Sequence, residues 1–351
     1  MSGYEPRPRA EGKQDLGRTR TLVTGGAGYL GSILVRLLLE HGHDVTVLDA
    51  FLYGDRSIRD VADRVRVVHA DIRDELAQAE ALCGADGVVH LAEIVGEPAC
   101  ALAPKEAREV NLTATCQLAG KARAIGIRRF IYASSCSVYG FSPSPEPLRE
   151  TAPLRPIGLY ANLKQRVEEH LTELADAAFG PTLLRFATLH GRSHRPRFDL
   201  VVNKMTADAL QNGRIFVHGA SNRRPNISVT DAARAIIAIL EAPQVAVSGQ
   251  VFNISNDAQN HSIGELAEIV RTSLGGRSVP VVETGGDDTR SYAVSASKVA
   301  RMLGFNARLS LPCEIGSLAM ALISGTDGGE ARYSNVESLK LRGDLAARPP
   351  A

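Results

Sequence analysis

Thr24-Gly25-Gly26-Ala27-Gly28-Tyr29-Leu30-Gly31 follows the short apolar run Thr21–Thr24 and opens the amphipathic stretch Tyr29–Glu40. The segment satisfies GxxGxxG through Gly25, Gly28 and Gly31, and GxGxxG through Gly26, Gly28 and Gly31. Between a strand and a helix, glycines let the turn tighten and the backbone approach a diphosphate, while the helix N-terminus offers N–H donors. A glycine cluster alone is more often a plain turn. Asp49, however, closes the next β-type run, about 20 residues on, where a dinucleotide-binding sheet needs a carboxylate for the adenosine ribose.

Outward from this loop, β-type runs at Asp44–Asp49, Val65–His69, Gly87–His90, Phe130–Ala133 and Thr182–Phe186 alternate with helical periodicity at Leu76–Leu82, Lys105–Ala124 and Leu159–Ala178. That alternation predicts an α/β fold with a doubly wound parallel sheet of Rossmann type. After about Gly191 the pattern suggests a smaller, interleaved C-terminal substrate-binding lobe, with a helix at 200–211, strands at 215–218 and 279–283, and a return to the sheet within 225–256. The expected division is a flexible N-terminal tail at 1–18, the nucleotide-binding domain at 19–190, a lobe mainly at 191–324, and a poorly packed tail at 325–351.

Composition narrows the classes further. The chain has 351 residues, 44% hydrophobic and 23% charged, with forty basic against thirty-nine acidic side chains. This is globular composition, and a net charge of +1 provides no general attraction for nucleic acid or an anionic membrane. The start has no apolar run of signal or membrane-spanning length. Five cysteines without a CxxC pair argue for a reducing, cytoplasmic setting, and no histidine cluster suggests a metal. The glycine loop contains no cation for a 2′-phosphate, so NAD rather than NADP is the expected cofactor. Asp71 and Ile72, after the third strand, are placed either to contact the adenine or to cap a helix.

Among the eight tyrosines, only Tyr160 has a lysine four residues later, Lys164. That spacing sets both on one helical face, where an ammonium favours the phenolate. Ser134-Ser135-Cys136-Ser137-Val138-Tyr139-Gly140 follows the fifth strand, and a serine there can hydrogen-bond both a substrate hydroxyl and the phenol. With His90-Leu91-Ala92 and Asn111-Leu112-Thr113-Ala114-Thr115, these motifs resemble the extended short-chain dehydrogenase/reductases, specifically the NAD-dependent nucleotide-sugar epimerase/dehydratase family, over about 20–305. The resemblance implies Tyr160 as acid/base, Lys164 as its electrostatic partner on the nicotinamide ribose, and Ser135 on the sugar hydroxyl. It further implies that Leu91 and Ala92 line the cofactor and that Asn111 orders the active-site backbone.

Departures from the family pattern guide the reaction class. The family's 4,6-dehydratases carry Asp-Glu where Cys136-Ser137 stand, so the resemblance points to a 4-epimerase or to an NAD(P)H-dependent keto-sugar reductase; a non-catalytic NAD-binding protein is the third reading. Cys136 is either a reactive thiol or a packing residue. Glu93 replaces a small family residue and is a substrate contact, an extra acid/base group or an outward charge. Arg224 and Arg290 resemble arginines that clamp the diphosphate of a nucleotide-diphosphate sugar, though either could be a surface charge. Asn203 is the expected lobe amide, and Thr188 stands where relatives place a phosphate-facing asparagine. Helices 105–124 and 159–178 resemble a homodimer's interface, with Leu163, Val167 and Leu174 as apolar contacts, or else simply cover the sheet.

Overall fold

The computed structural model describes residues 19–144, 146–275, 279–285, 288–326 and 328–346. In chain order the strands are β1 (Arg20–Thr24), β2 (Asp44–Asp49), β3 (Val65–His69), β4 (Gly87–His90), β5 (Arg129–Ser135), β6 (Thr182–Phe186), β7 (Thr188–His190), β8 (Ile215–His218), β9 (Arg223–Ser228), β10 (Val251–Ile254), β11 (Asn260–Ser262) and β12 (Val281–Thr284). Seven of them form one parallel sheet in the order β10-β6-β5-β4-β1-β2-β3. The order reverses between β1 and β4, with Thr24 opposite Leu48 on one side and His90 on the other. At such a reversal the loops leaving the carboxyl ends diverge, and the crevice between them receives the ligand.

Both faces are covered, as the continuously apolar runs require. On one face Leu34, Val35 and Leu38 of helix Gly31–Glu40 pack with Ile236 and Ile239 of helix Val229–Glu241. On the other, helices Glu75–Leu82, Thr115–Ala124 and Leu159–Leu174 bury Leu82, Leu118, Leu163, Val167 and Leu171 against Phe130 and Val88. Leu163 and Val167 are thus spent on the internal core and are not available as apolar contacts between protomers. The expected helix 105–124 is three pieces, Pro104–Arg108, a widened π turn Glu109–Ala114 and Thr115–Ala124.

The lobe is built from two small sheets. β9 pairs in parallel with β7 and antiparallel with β11, while β8 pairs in parallel with β12. Val202, Met205, Ile215, Val217, Leu266, Val270 and Ile315 form its core. Between the two lobe segments the chain sends β10 back to the edge of the main sheet, so the two parts interleave.

The C-terminal stretch corrects the expectation of a loose tail. The turn Ala331–Tyr333 accepts a hydrogen bond from Phe198 N at 2.8 Å, and helix Asn335–Ala346 buries Leu339 and pairs Arg342 with Glu106 at 2.6 Å. Its polarity by sequence reflects a helix held through ion pairs and a few apolar residues rather than a broad apolar face. The proposed N-terminal tail, 1–18, and residues 347–351 lie outside the described residues. No helix among those described is long and apolar enough to cross a membrane.

Candidate active site

A cleft of about 590 Å³ runs along the carboxyl end of the sheet, from the glycine loop past Tyr160 to the lobe. Gly25, Gly28, Tyr29, Leu30 and Gly31 line its first part. The glycines are enforced by space: a Cβ on Gly31 would lie 2.2 Å from Gly25 O, and one on Gly25, at φ 72°, would lie 2.8 Å from Ala92 N. Asp49 borders the same part, its Oδ2 accepting from Ala27 N at 2.9 Å and its Oδ1 from Phe51 N at 2.8 Å. Burial raises its carboxyl pKa, and these two N–H donors oppose the rise. Leu91 and Ala92 form the adjacent wall, with Asp71 and Ile72 beside them. Asp71 points its carboxylate at Arg73 (2.8 Å), which holds the carboxyl below its ordinary range; the helix-capping alternative passes instead to Asp74, which accepts from Leu76 N and Ala77 N.

Midway, β5 delivers Ser135 and the following turn delivers Ser137, opposite Tyr160 and Lys164 on helix Leu159–Leu174. Ser135 lies beside Tyr160 in the cleft and favours the phenolate, but burial and the nearby Glu93 carboxylate push the phenol pKa well up. Lys164 is buried. Its ammonium donates to Ala133 O, pairs with Glu93 Oε2, and lies 4.7 Å from the Tyr132 ring centre and 5.6 Å from that of Tyr160. Glu93 Oε1 accepts from the Tyr132 hydroxyl at 2.9 Å. Burial raises the Glu93 carboxyl pKa while Lys164 and Tyr132 lower it. Its side chain is only 2% exposed, so Glu93 is not an outward charge; it borders the cleft as the carboxylate partner of Lys164.

At the lobe end the cleft reaches Thr188, Arg224 and Arg290. The two guanidiniums converge on Asp288, each at 2.8 Å, and Arg224 also donates to Arg290 O. Burial alone would raise the Asp288 carboxyl, yet the arginines hold it at about 2. These are organised cleft arginines, not surface charges.

Three residues expected in the site lie behind it. Asn111, carried inward by the π turn, donates to Ile94 O and accepts from Ile94 N, both at 2.8 Å, so it fixes the 92–95 backbone without facing the cleft. Cys136 is buried, with its Sγ 3.1 Å from Arg185 O and its thiol pKa pushed far up by burial. It packs in a buried cluster behind the cleft and does not line it. Asn203 is buried as well and spends its amide on Gly191 N (2.9 Å), Arg197 O (2.9 Å) and the Tyr29 hydroxyl (3.1 Å), tying the 191–197 loop to the glycine loop.

The sequence reading missed Glu97, Arg195, Arg197, Asp199, Asn335 and Val336, all of which line the cleft. Glu97 accepts from Leu159 N and, at 3.0 Å, from Tyr160 N, and so caps helix Leu159–Leu174 from another segment. A signal existed: Gly158 before Leu159 supplies no side-chain acceptor. Asn335 donates to Val95 O at 3.1 Å and, through its backbone N, to Asp199 at 3.2 Å.

Comparison with known proteins follows the same geometry. Residues 21–255 match the model of the NAD dependent epimerase/dehydratase family. A UDP-glucose 4-epimerase of Corynebacterium glutamicum is 28% identical over 305 residues, covering 82% of this chain and 90% of that protein. The structure of UDP-glucose 4-epimerase from Thermotoga maritima with UDP-glucose superimposes with a TM-score of 0.79 at 24% identity, over 87% of this chain and 99% of the other. The dTDP-glucose 4,6-dehydratase of Streptomyces venezuelae reaches the same TM-score, 0.79, at 25% identity, covering 90% of this chain and 100% of the other. The fold is therefore common to epimerases and dehydratases, and the family match extends over the glycine loop, Asp49 and the Tyr160–Lys164 helix alike. The chain belongs to the NAD-dependent epimerase/dehydratase family.

Proposed function

We propose that the protein is an NAD-dependent nucleotide-sugar epimerase of the 4-epimerase type. The observation that carries this reading is the grouping of Ser135, Tyr160 and Lys164 in one cleft with no free carboxylate beside the phenol among the described residues: Glu93 is engaged by Lys164, Glu97 by the helix N-terminus, and Cys136 faces the core. Eliminating water from a sugar needs an additional acid and base at that place. Moving a hydride off one face of a carbon and back to the other does not.

The residues fit the dinucleotide. The glycine loop has no room for side chains where a diphosphate approaches, and Asp49 keeps acceptor capacity for ribose hydroxyls beyond its two backbone bonds. When bound, NAD supplies the hydride acceptor that later becomes the donor. Tyr160 removes the proton from the substrate hydroxyl as it becomes a ketone and returns it on reduction. Ser135 holds that oxygen within reach of the phenol. Lys164 fixes the charge balance, and Arg224 and Arg290 present cations for the substrate diphosphate at the lobe end. The relatives named UDP-glucose 4-epimerase support a UDP-hexose as the first substrate to try. The free cysteines support a reducing cytosol, and the outer face formed by Leu112, Cys116, Arg166 and His170 is the surface through which a homodimer would form.

Incubation with a panel of nucleotide hexoses, followed by product stereochemistry and reduced-nicotinamide absorbance, tests the reading. Epimer formation with no net change in cofactor redox state is expected. Stoichiometric consumption of added reduced dinucleotide would instead make the protein a keto-sugar reductase.

A further inference from the structure

Arg195 sits in the loop that leaves β7 and crosses the mouth of the glycine loop. Ser193, two residues earlier, donates to Tyr29 O at 2.6 Å, and the Tyr29 hydroxyl donates to Gly191 O at 2.6 Å, so this loop is pinned to the turn that precedes helix Gly31–Glu40. The guanidinium carbon of Arg195 lies 3.7 Å from the ring centre of Tyr53, on the loop after β2. The residue is only 3% exposed, yet it lines the cleft, and its Nε and Nη2 have no hydrogen-bond partner among the described residues. Asp199, the nearest candidate on its own loop, is taken by both arms of Arg197, at 3.0 and 2.9 Å. Both oxygens of Asp49 accept backbone N–H groups.

A buried guanidinium with empty donors is costly to maintain, and a stacked one is held in a fixed plane. The arrangement makes sense as half of a contact. We infer that Arg195, oriented by Tyr53, is a cofactor-binding residue whose free donors meet the diphosphate of the dinucleotide. A diphosphate is favoured over a 2′-phosphate because Asp49 would repel a second anion at the ribose, whereas the helix N-terminus lining the same cleft attracts one. Burial also draws the Arg195 pKa down to about 10, which an arriving anion would reverse. The assignment rests on the family's use of NAD but not on epimerisation, so it is tested by binding alone.

The experiment compares cofactor-stripped wild type with Arg195→Met and Arg195→Lys, using ADP, adenosine and adenosine 2′-monophosphate in calorimetry, with NAD-induced thermal shifts alongside. Losing a charge-assisted contact should weaken ADP and NAD about 10- to 100-fold in Arg195→Met, with partial recovery in Arg195→Lys and adenosine binding within about twofold of wild type. The free Arg195→Met protein should melt no lower than wild type, while its NAD-induced shift shrinks. Parallel loss of adenosine, or unchanged ADP binding, would overturn the assignment. Selective loss of adenosine 2′-monophosphate would overturn it in favour of a 2′-phosphate site. A wild type that binds neither ADP nor NAD would overturn the cofactor reading, and this assignment with it.

Discussion

In the proposed role Tyr160 must give up its proton near neutral pH, and its surroundings pull in both directions. Ser135 favours the phenolate; burial and Glu93 oppose it. Since Glu93 also neutralises Lys164, it dampens the ammonium that a Tyr–Lys pair relies on. Glu93→Gln should therefore lower the phenol pKa, so that the acidic limb of the kcat–pH profile moves to lower pH. A profile that stays in place would show that the carboxylate is not coupled to the phenol. Tyr160→Phe deletes the proton-transferring oxygen and keeps the ring, so turnover should fall by about 100-fold or more while NAD binding and melting temperature hold; steady-state kinetics and calorimetry check both. That the glycines, Asp49, Ser135, Tyr160 and Lys164 share one cleft could be read from sequence because their placement depends on local spacing. Glu93 could be singled out but not placed, since its partner lies across the sheet on a helix some seventy residues later.

At the level of elements, helix Leu159–Leu174 begins without a capping side chain of its own and borrows Glu97. The carboxylate satisfies N-terminal donors and also sits at the positive end of the helix. Glu97→Ala should cost about 1–2 kcal/mol in denaturant unfolding, within the range for loss of a cap, and lower kcat more than it raises KM because Tyr160 N is one of the two groups released. Unchanged kcat would mean the cap serves stability only. Gly158, at φ 88°, belongs to the same device, since a Cβ there would strike the Glu97 carboxylate. The strands of the main sheet were readable because buried parallel strands have nearly continuous apolar sequence. The π turn at Glu109–Ala114 was not, because a single widened turn leaves the helical periodicity almost intact. Asn203 and Cys136 misled for a related reason: residue type and position in a motif do not tell whether a side chain faces the cleft or the backbone behind it.

For the whole molecule, the C-terminal helix closes one side of the cleft, with Asn335 and Val336 in its wall and Asn335 tied to Val95 and Asp199. Ending the chain at Ser334 should raise KM for the nucleotide sugar about tenfold, as expected from losing one or two hydrogen bonds that shape the wall; an unchanged KM would show that the helix only covers the sheet. Sedimentation should find a homodimer, and Cys116→Glu, on the outer face beside Arg166 and His170, should shift it toward monomer. The central claim is that the same hydride leaves and returns while Tyr160 moves only the hydroxyl proton. Turnover of UDP-glucose in deuterated water tests this most directly, with NMR at the inverted carbon and a reading of cofactor absorbance. The account predicts UDP-galactose with no solvent deuterium on that carbon and no net change in reduced dinucleotide; deuterium incorporation at the inverted carbon, or dinucleotide consumed in proportion to product, would contradict it.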